Sequence, residues 1–148
     1  MMRRSLFVSV LLGVLLMVVA MPGLPALAAT HPKLEDFVAS VPSNQNFLVS
    51  QADLKKVVDS KEKDSAIIDV RPASVFAADH IAGSINIPLP TIVKNSSKVP
   101  TGKKLYVVCT IDTNAAFAVA VLRLLGFDAW IVEGGVPGWI AAGHPVVK

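Results

Sequence analysis

Short apolar strands alternating with helical patterns predict an α/β fold, one domain with a mainly parallel central sheet and helices on both faces. Three observations carry the prediction. Five apolar runs recur from residue 47 onward, helical segments separate most of them, and the runs are too short and too continuous for an amphipathic helical bundle. The chain has 148 residues, 53% of them apolar and 17% charged, which suits one core and excludes a disordered or coiled-coil chain.

Residues 1–28 read as a signal peptide. Arg3 and Arg4 precede an uncharged apolar run from Leu6 to Met21; Pro22, Gly23 and Pro25 then break any helix before Ala26-Leu27-Ala28. Small residues at the first and third places of that triplet suit a signal peptidase, so cleavage is expected after Ala28. A retained anchor is the competing reading, because the run is only slightly shorter than a membrane span. The helix breakers and the triplet favour removal, with no stable membrane anchor afterwards. Export is expected, and the Arg-rich start points to a bacterial periplasm. The net charge of +3 falls to 12 basic against 11 acidic residues once this segment is gone. A nearly neutral chain argues against nucleic acid as a partner.

Residues 29–46 are polar, broken by Pro32 and Pro42, and read as an N-terminal extension with a helical stretch near Lys33–Ser40. The domain is expected over 47–148. Phe47-Leu48-Val49 is a short strand. Ser50 is an N-cap with Asp53 three residues on, and Leu54, Val57 and Val58 share one face of the helix that follows. Ala66–Val70 is the second strand, and Pro72 opens a helix reaching about Ala78. Ser84–Ile87 is the third strand, followed by a helical turn near Thr91–Lys94. Lys104–Cys109 is the fourth, apolar enough for burial on both faces. A helix is expected over Asn114–Leu125, where ten of twelve residues are apolar, with Gly126 ending it. Such a helix predicts full burial, or one side meeting a partner or second copy as a homodimer. Asp128–Val132 is the last strand, and Gly134-Gly135 turns into a short helix around Pro137–Ala142.

Exported proteins usually use cysteines in pairs, yet Cys109 is the sole cysteine here. It is either a small buried hydrophobe or a thiol kept for chemistry. Ligands and active sites of open α/β sheets lie beyond the carboxyl ends of the strands. Cys109 ends the fourth strand, ahead of the loop Thr110-Ile111-Asp112-Thr113 and a helix N-terminus at Asn114. Helix amides and the positive end of a helix dipole stabilise a thiolate there, so position favours the reactive thiol.

Several segments resemble a known family. Asp69-Val70-Arg71 at a strand end, Asp79-His80-Ile81-Ala82-Gly83-Ser84-Ile85-Asn86-Ile87-Pro88, Val107-Val108-Cys109 and Leu124-Leu125-Gly126-Phe127 occur in the order found in rhodanese-like sulfurtransferases. The closing Glu133-Gly134-Gly135-Val136-Pro137-Gly138-Trp139 and Ala142-Gly143-His144-Pro145-Val146 complete the resemblance, which runs from about residue 47 to 147. It implies a rhodanese-like fold and a sulfurtransferase. Cys109 would be the nucleophile that takes a sulfane sulfur from a small donor such as thiosulfate. It would hold the sulfur as a persulfide and pass it to a thiol or cyanide-like acceptor. The loop Thr110, Ile111, Asp112, Thr113 and Asn114 would bind the substrate. A catalytically weak binding module and a redox-sensing thiol are the alternatives.

The loop departs from the family's Cys-Arg-x-Gly-x-Arg. Thr110, Asp112 and Asn114 stand where the first arginine, the glycine and the second basic residue often occur. Asp112 either faces the thiolate, repelling it and a divalent donor, or turns outward as a helix cap. The first orientation, together with the lost positive side chains, predicts a poor response to thiosulfate; the second weakens the field of Asp112 at the thiol. A phosphatase would need an arginine six places after the cysteine, where Ala115 stands.

Asp69 and Arg71 are expected to pair structurally, and His80 to pack or bond a loop. Trp130 and Trp139 are expected to be core or rim aromatics. His31 and His144 have no metal-ligand spacing with each other or with Cys109, so neither metal nor cofactor is implied.

Overall fold

The computed structural model describes residues 32–41 and 47–148, and the backbone but not the side chains of Pro32 and Lys33. The expected signal peptide, and residues 29–31 and 42–46 of the expected extension, lie outside the described residues. Elements follow as α1 (Pro32–Ser40), β1 (Leu48–Val49), α2 (Gln51–Ser60), β2 (Ser65–Asp69), α3 (Ala73–Ala78), β3 (Ile85–Asn86), β4 (Lys104–Val108), α4 (Asp112–Leu124), β5 (Asp128–Val132) and α5 (Gly135–Ala141).

The five strands form one all-parallel sheet in the order β1-β5-β4-β2-β3. β4 is central and alternates strictly. Leu105, Val107 and Cys109 join a cluster with Ile68 and with Ala115, Ala118, Val119 and Leu122 of α4. Tyr106 and Val108 join the opposite cluster with Leu54 of α2 and Val136 and Trp139 of α5. Alternate side chains of a strand point to opposite faces, so this strand is buried on both sides, as its apolar run predicts.

The topology places a crevice. The chain leaves β2 towards β3 on one side and leaves β4 towards β5 on the other, so β2 and β4 are neighbours whose connections diverge. Divergent connections open a gap beyond the carboxyl ends of such a pair. Asp69 and Val108 are in register at that edge, which brings Arg71 and Cys109 to the same end of the sheet.

Local chemistry sets the helix ends. The Ser50 hydroxyl accepts from the Asp53 amide (3.2 Å) and starts α2. After α4, Gly126 adopts φ +92°. Its amide bonds the Arg123 carbonyl and the Phe127 amide bonds that of Leu122, the Schellman pattern that glycine permits. At the other end, α4 starts at Asp112 rather than Asn114, so Asp112 and Thr113 belong to its first turn and not to a preceding loop. Ile111 takes the N-cap position with extended backbone and no side-chain hydrogen bond. α5 likewise starts earlier, at Gly135, and the turn expected near Thr91–Lys94 is a 3-10 turn over Leu89–Thr91.

Full burial of α4 is not observed. Phe117 is 61% exposed, while Ala115, Ala118, Val119 and Leu122 are buried against the sheet. A helix lying on one face of a sheet has only part of its circumference to bury, and small alanines complete its inner stripe. Part of the expected extension also packs on this side. Phe37 of α1 stacks on Phe47 at 6.3 Å and contacts the same cluster. Trp139 is core, 1% exposed, whereas half-buried Trp130 meets Phe47 edge-on at 5.8 Å. Among the described residues, no helix is long and apolar enough to cross a membrane.

Leu122→Ala and Phe117→Ala test this orientation on one helix. Removing the fully buried Leu122 side chain is expected to cost ~2–5 kcal/mol in urea unfolding. The exposed Phe117 change should stay within about 0.5 kcal/mol.

Candidate functional site

At the end of β2, Arg71 is a buried cation held by carboxylates on two sides. Its Nε donates to both Asp69 oxygens (3.0 Å each) and its Nη2 to Asp69 Oδ2 (2.8 Å). Nη1 donates to Asp79 Oδ1 (2.9 Å), and Nη2 also reaches the Asp79 carbonyl (2.6 Å). Burial by itself would lower the Arg71 pKa. The hydrogen bonds to Asp69 and Asp79 outweigh it, so the guanidinium sits above its ordinary range and stays charged. Asn86 of β3 donates to the Asp69 and Arg71 carbonyls (3.0 and 2.9 Å), fixing the backbone that carries the pair. The structural pairing expected of Asp69 and Arg71 is what the geometry shows.

At the end of β4, Cys109 is 4% exposed and packs with the cluster beneath α4. Thr110, Ile111, Asp112 and Thr113 are exposed above it, and Asn114 is half-buried. The five residues expected to line a substrate site thus follow the thiol as two loop positions and the first turn of α4. The amides of Asp112 and Thr113 lie in that turn, where a helix supplies no carbonyl partner.

The thiol is positioned from the far end of the sequence. Gly134 and Gly135 take φ +73° and +52°, and the Val136 amide donates to the Cys109 carbonyl at 3.0 Å. A Cβ on Gly135 would overlap the Cys109 carbonyl oxygen and lie 3.0 Å from its carbon, so only glycine allows this approach. Gln51 donates through Nε2 to the Glu133 and Gly135 carbonyls (2.7 and 2.9 Å) and holds the turn from α2. The Asp112 carboxylate accepts from the Gly134 amide at 3.1 Å. Asp112 therefore takes neither expected orientation fully. Its charge is met by a backbone N–H, but that of the neighbouring turn rather than of its own helix.

A shallow cleft of about 470 Å³ opens beside Thr110, lined also by Arg71, Asp79 and side chains of α3 and α5. His80 bonds the Phe76 carbonyl through Nδ1 (3.0 Å) and stacks on the Phe76 ring. Its backbone pairs with Val147, a loop-fixing role of the kind expected. Among the described residues, no group of three or more His, Cys, Asp or Glu side chains stands together as a metal site would require.

Gln51, Asn86 and the cleft walls do not emerge from sequence reasoning. Gln51 lies 82 residues from its first acceptor and sits in no motif, so no local signal marks it. Asp79 falls inside the family-like segment, but its pairing with Arg71 depends on where α3 ends.

Residues 50–142 match the Rhodanese-like domain family. The chain belongs to that family. Its relatives include the thiosulfate sulfurtransferase GlpE of Pseudomonas savastanoi pv. phaseolicola, 33% identical over 82 residues, covering 55% of this chain and 77% of that protein. The adenylyltransferase and sulfurtransferase MOCS3 of Oryza sativa subsp. japonica is 32% identical over 109 residues, covering 64% of this chain but only 24% of its own length. Among solved structures, a rhodanese-related protein from Thermoplasma volcanium is 34% identical with a TM-score of 0.61, covering 67% of this chain and 95% of that one. A protein from Anabaena sp. reaches a TM-score of 0.64 at 28% identity, covering 68% and 82%. The rhodanese-like signatures at the end of the chain are thus the turn and helix that hold the Cys109 carbonyl.

Gly135→Ala should destabilise the domain by at least ~2 kcal/mol in thermal or urea unfolding and alter the rate of Cys109 alkylation, because the Cβ has no space. Gly143→Ala, at φ +76° with nothing near its Cβ, should cost only backbone strain, ~1–2 kcal/mol, and leave alkylation unchanged.

Arg71→Met leaves the fully buried Asp69 carboxylate without its cation. A loss of ~3–5 kcal/mol in equilibrium unfolding is expected. The half-exposed Asp79 changed to asparagine should lose ~1 kcal/mol or less.

Proposed function

We propose that the protein is a sulfurtransferase in which Cys109 carries a sulfane sulfur as a persulfide. One observation carries the reading: the sole cysteine stands at the carboxyl end of the central strand, beside the crevice where β2 and β4 diverge, under the first turn of α4. Family membership with sulfurtransferase relatives supports it.

In the first half-reaction the Cys109 thiolate attacks the outer sulfur of the donor. The donor S–S bond breaks and its electron pair leaves with the remainder, sulfite when the donor is thiosulfate. In the second, a thiolate or cyanide attacks the terminal sulfur of the persulfide, and the Cys109 thiolate departs. No external oxidant or reductant is consumed. The amides of Asp112 and Thr113, in the first turn of α4, stabilise the charged terminal sulfur, aided by the helix dipole, which contributes ~0.3–1 kcal/mol toward an anion.

The electrostatics select against thiosulfate as the donor. After Cys109 the next basic side chain is Arg123, far along α4, and Arg71 is already paired with Asp69 and Asp79. Asp112 adds a negative charge to the rim. A divalent anion ~8 Å from that carboxylate in water is repelled by ~1 kcal/mol before salt screening. Export belongs to the same reading. The basic start, the apolar run and the small-residue triplet of residues 1–28 support a leader removed on passage to a bacterial periplasm, leaving 29–46 as an extension ahead of the domain.

The test is intact mass of the purified protein after treatment with thiosulfate and, separately, with a low-molecular-weight persulfide. One added sulfur is expected from the persulfide, little from thiosulfate and none on Cys109→Ser, with release to cyanide as thiocyanate. No added sulfur from either donor, on a protein whose thiol still alkylates, overturns the reading in favour of a binding module.

A further inference from the structure

Gln51 is the first residue of α2, and its side chain serves the opposite end of the sequence. Nε2 donates to the Glu133 carbonyl (2.7 Å) and to the Gly135 carbonyl (2.9 Å), so one amide group spends both of its protons on the two carbonyls that flank Gly134. Gly138 of α5 makes room for it, since a Cβ there would stand 2.8 Å from Nε2. Oε1 is buried and, among the described residues, has no hydrogen-bond partner, so the donors alone orient the side chain. A buried polar atom left in this way calls for an explanation, and here the two engaged donors supply it.

Between the two held carbonyls lies the Gly134 amide, which donates to the Asp112 carboxylate at 3.1 Å. The Cys109 side chain packs on the α4 face of the sheet, whereas α5 packs on the other face. The bond therefore draws the Asp112 charge towards the turn that opens α5. Asp112 stands in the first turn of α4, and a carboxylate freed there is attracted to the unpaired amides of its own helix end. An anion on Cys109 would use the same amides, so a freed carboxylate competes for them and repels the thiolate.

We propose that Gln51 is a positioning residue for Cys109. By holding the Glu133 and Gly135 carbonyls it presents the Gly134 amide to Asp112 and so keeps that carboxylate turned away from the thiol. The inference rests on the sulfur-transfer reading in taking Cys109 as the reacting group, and it explains how an acidic residue is tolerated three places after a nucleophile that must carry negative charge. Gln51 touches neither the thiol nor its loop; it acts through the glycine turn and through Asp112.

The experiment measures rates of Cys109 alkylation by iodoacetate and by iodoacetamide at low ionic strength. Both reagents react with the thiolate and are alike in size, so their ratio cancels thiolate fraction and access and reads the charge beside the sulfur. Gln51→Leu removes the donors. Gly138→Ala displaces the flexible end of Gln51 while placing a good helix former in α5, so one variant still reads out if the other folds poorly. In each, the iodoacetate-to-iodoacetamide ratio should fall about threefold from the native value and recover in high salt. In an Asp112→Asn background, where the side chain still accepts from Gly134 but carries no charge, neither change should move the ratio. A ratio that both variants leave at its native value overturns the assignment, whatever happens to the urea midpoint. A fall that persists in Asp112→Asn also overturns it, because the charge involved is then not that of Asp112. Alkylation needs only the thiol, so failure here and failure of sulfur loading are separate results.

Discussion

The site depends on one close approach, the backbone of Gly135 against the carbonyl of Cys109. A strand end normally leaves its last carbonyl to water. Here the Val136 amide takes it at 3.0 Å, and the approach is open only because residue 135 has no Cβ. Successive positive φ angles at Gly134 and Gly135 turn the chain out of β5 and into α5 at that point. The contact ties the end of the central strand to the last helix, and Gln51 and Asp112 hold the same turn from α2 and α4. Cys109 is therefore fixed through its main chain as well as by the packing of its side chain beneath α4. Positioning through backbone contacts suits a nucleophile, since the reacting atom is not itself tied up in holding the site together.

Charge is distributed to the same end. The buried cation at the end of β2, Arg71, has its guanidinium donors directed at Asp69 and at the carboxylate and carbonyl of Asp79. A buried ion pair of this kind does little for net stability compared with an apolar packing, but it fixes the direction in which the chain leaves β2. With that cation neutralised and Asp112 added at the rim, no net positive field remains at the mouth of the site. Backbone amides of the first turn of α4 are then the available source of positive potential. Such amides act at short range on an anion already in place and contribute little to drawing one from solution.

Much of the fold is legible in the sequence because it rests on periodicity. The unbroken apolar run ending at Cys109 identifies a strand buried on both faces, and the alternation of its neighbours between two clusters follows. The Ser50 cap and the Gly126 stop are local, so they can be read locally. The start of α4 is harder. Ile111 is not a capping residue and Asp112 suits either a cap or a first-turn position, so propensity places the boundary two residues late. Burial of α4 is also less complete than its composition alone suggests. An alanine-rich helix reads as apolar all round, yet only the alanines facing the sheet need covering, and Phe117 stays in solvent. Gln51 and Asn86 act through side-chain bonds to distant carbonyls, and a single sequence carries no trace of such pairings.

Buried and exposed residues divide the work at this end of the sheet. The residues that fix the ends of β2 and β4, Asp69 and Arg71 on one and Gly135 and Val136 against the other, are buried, and each has a partner that a substitution would disturb. The residues that follow Cys109 are exposed: Thr110, Ile111, Asp112 and Thr113. Changes at those positions leave the scaffold's hydrogen bonds almost untouched, the Asp112 bond to Gly134 being the exception. A fold arranged this way can keep the end of its central strand in place while the exposed residues around it change in charge. The departures of this loop from the basic family pattern at Thr110 and Asp112 fall on exposed positions outside the buried frame. The strand end, the helix start and the glycine turn of that frame are all present.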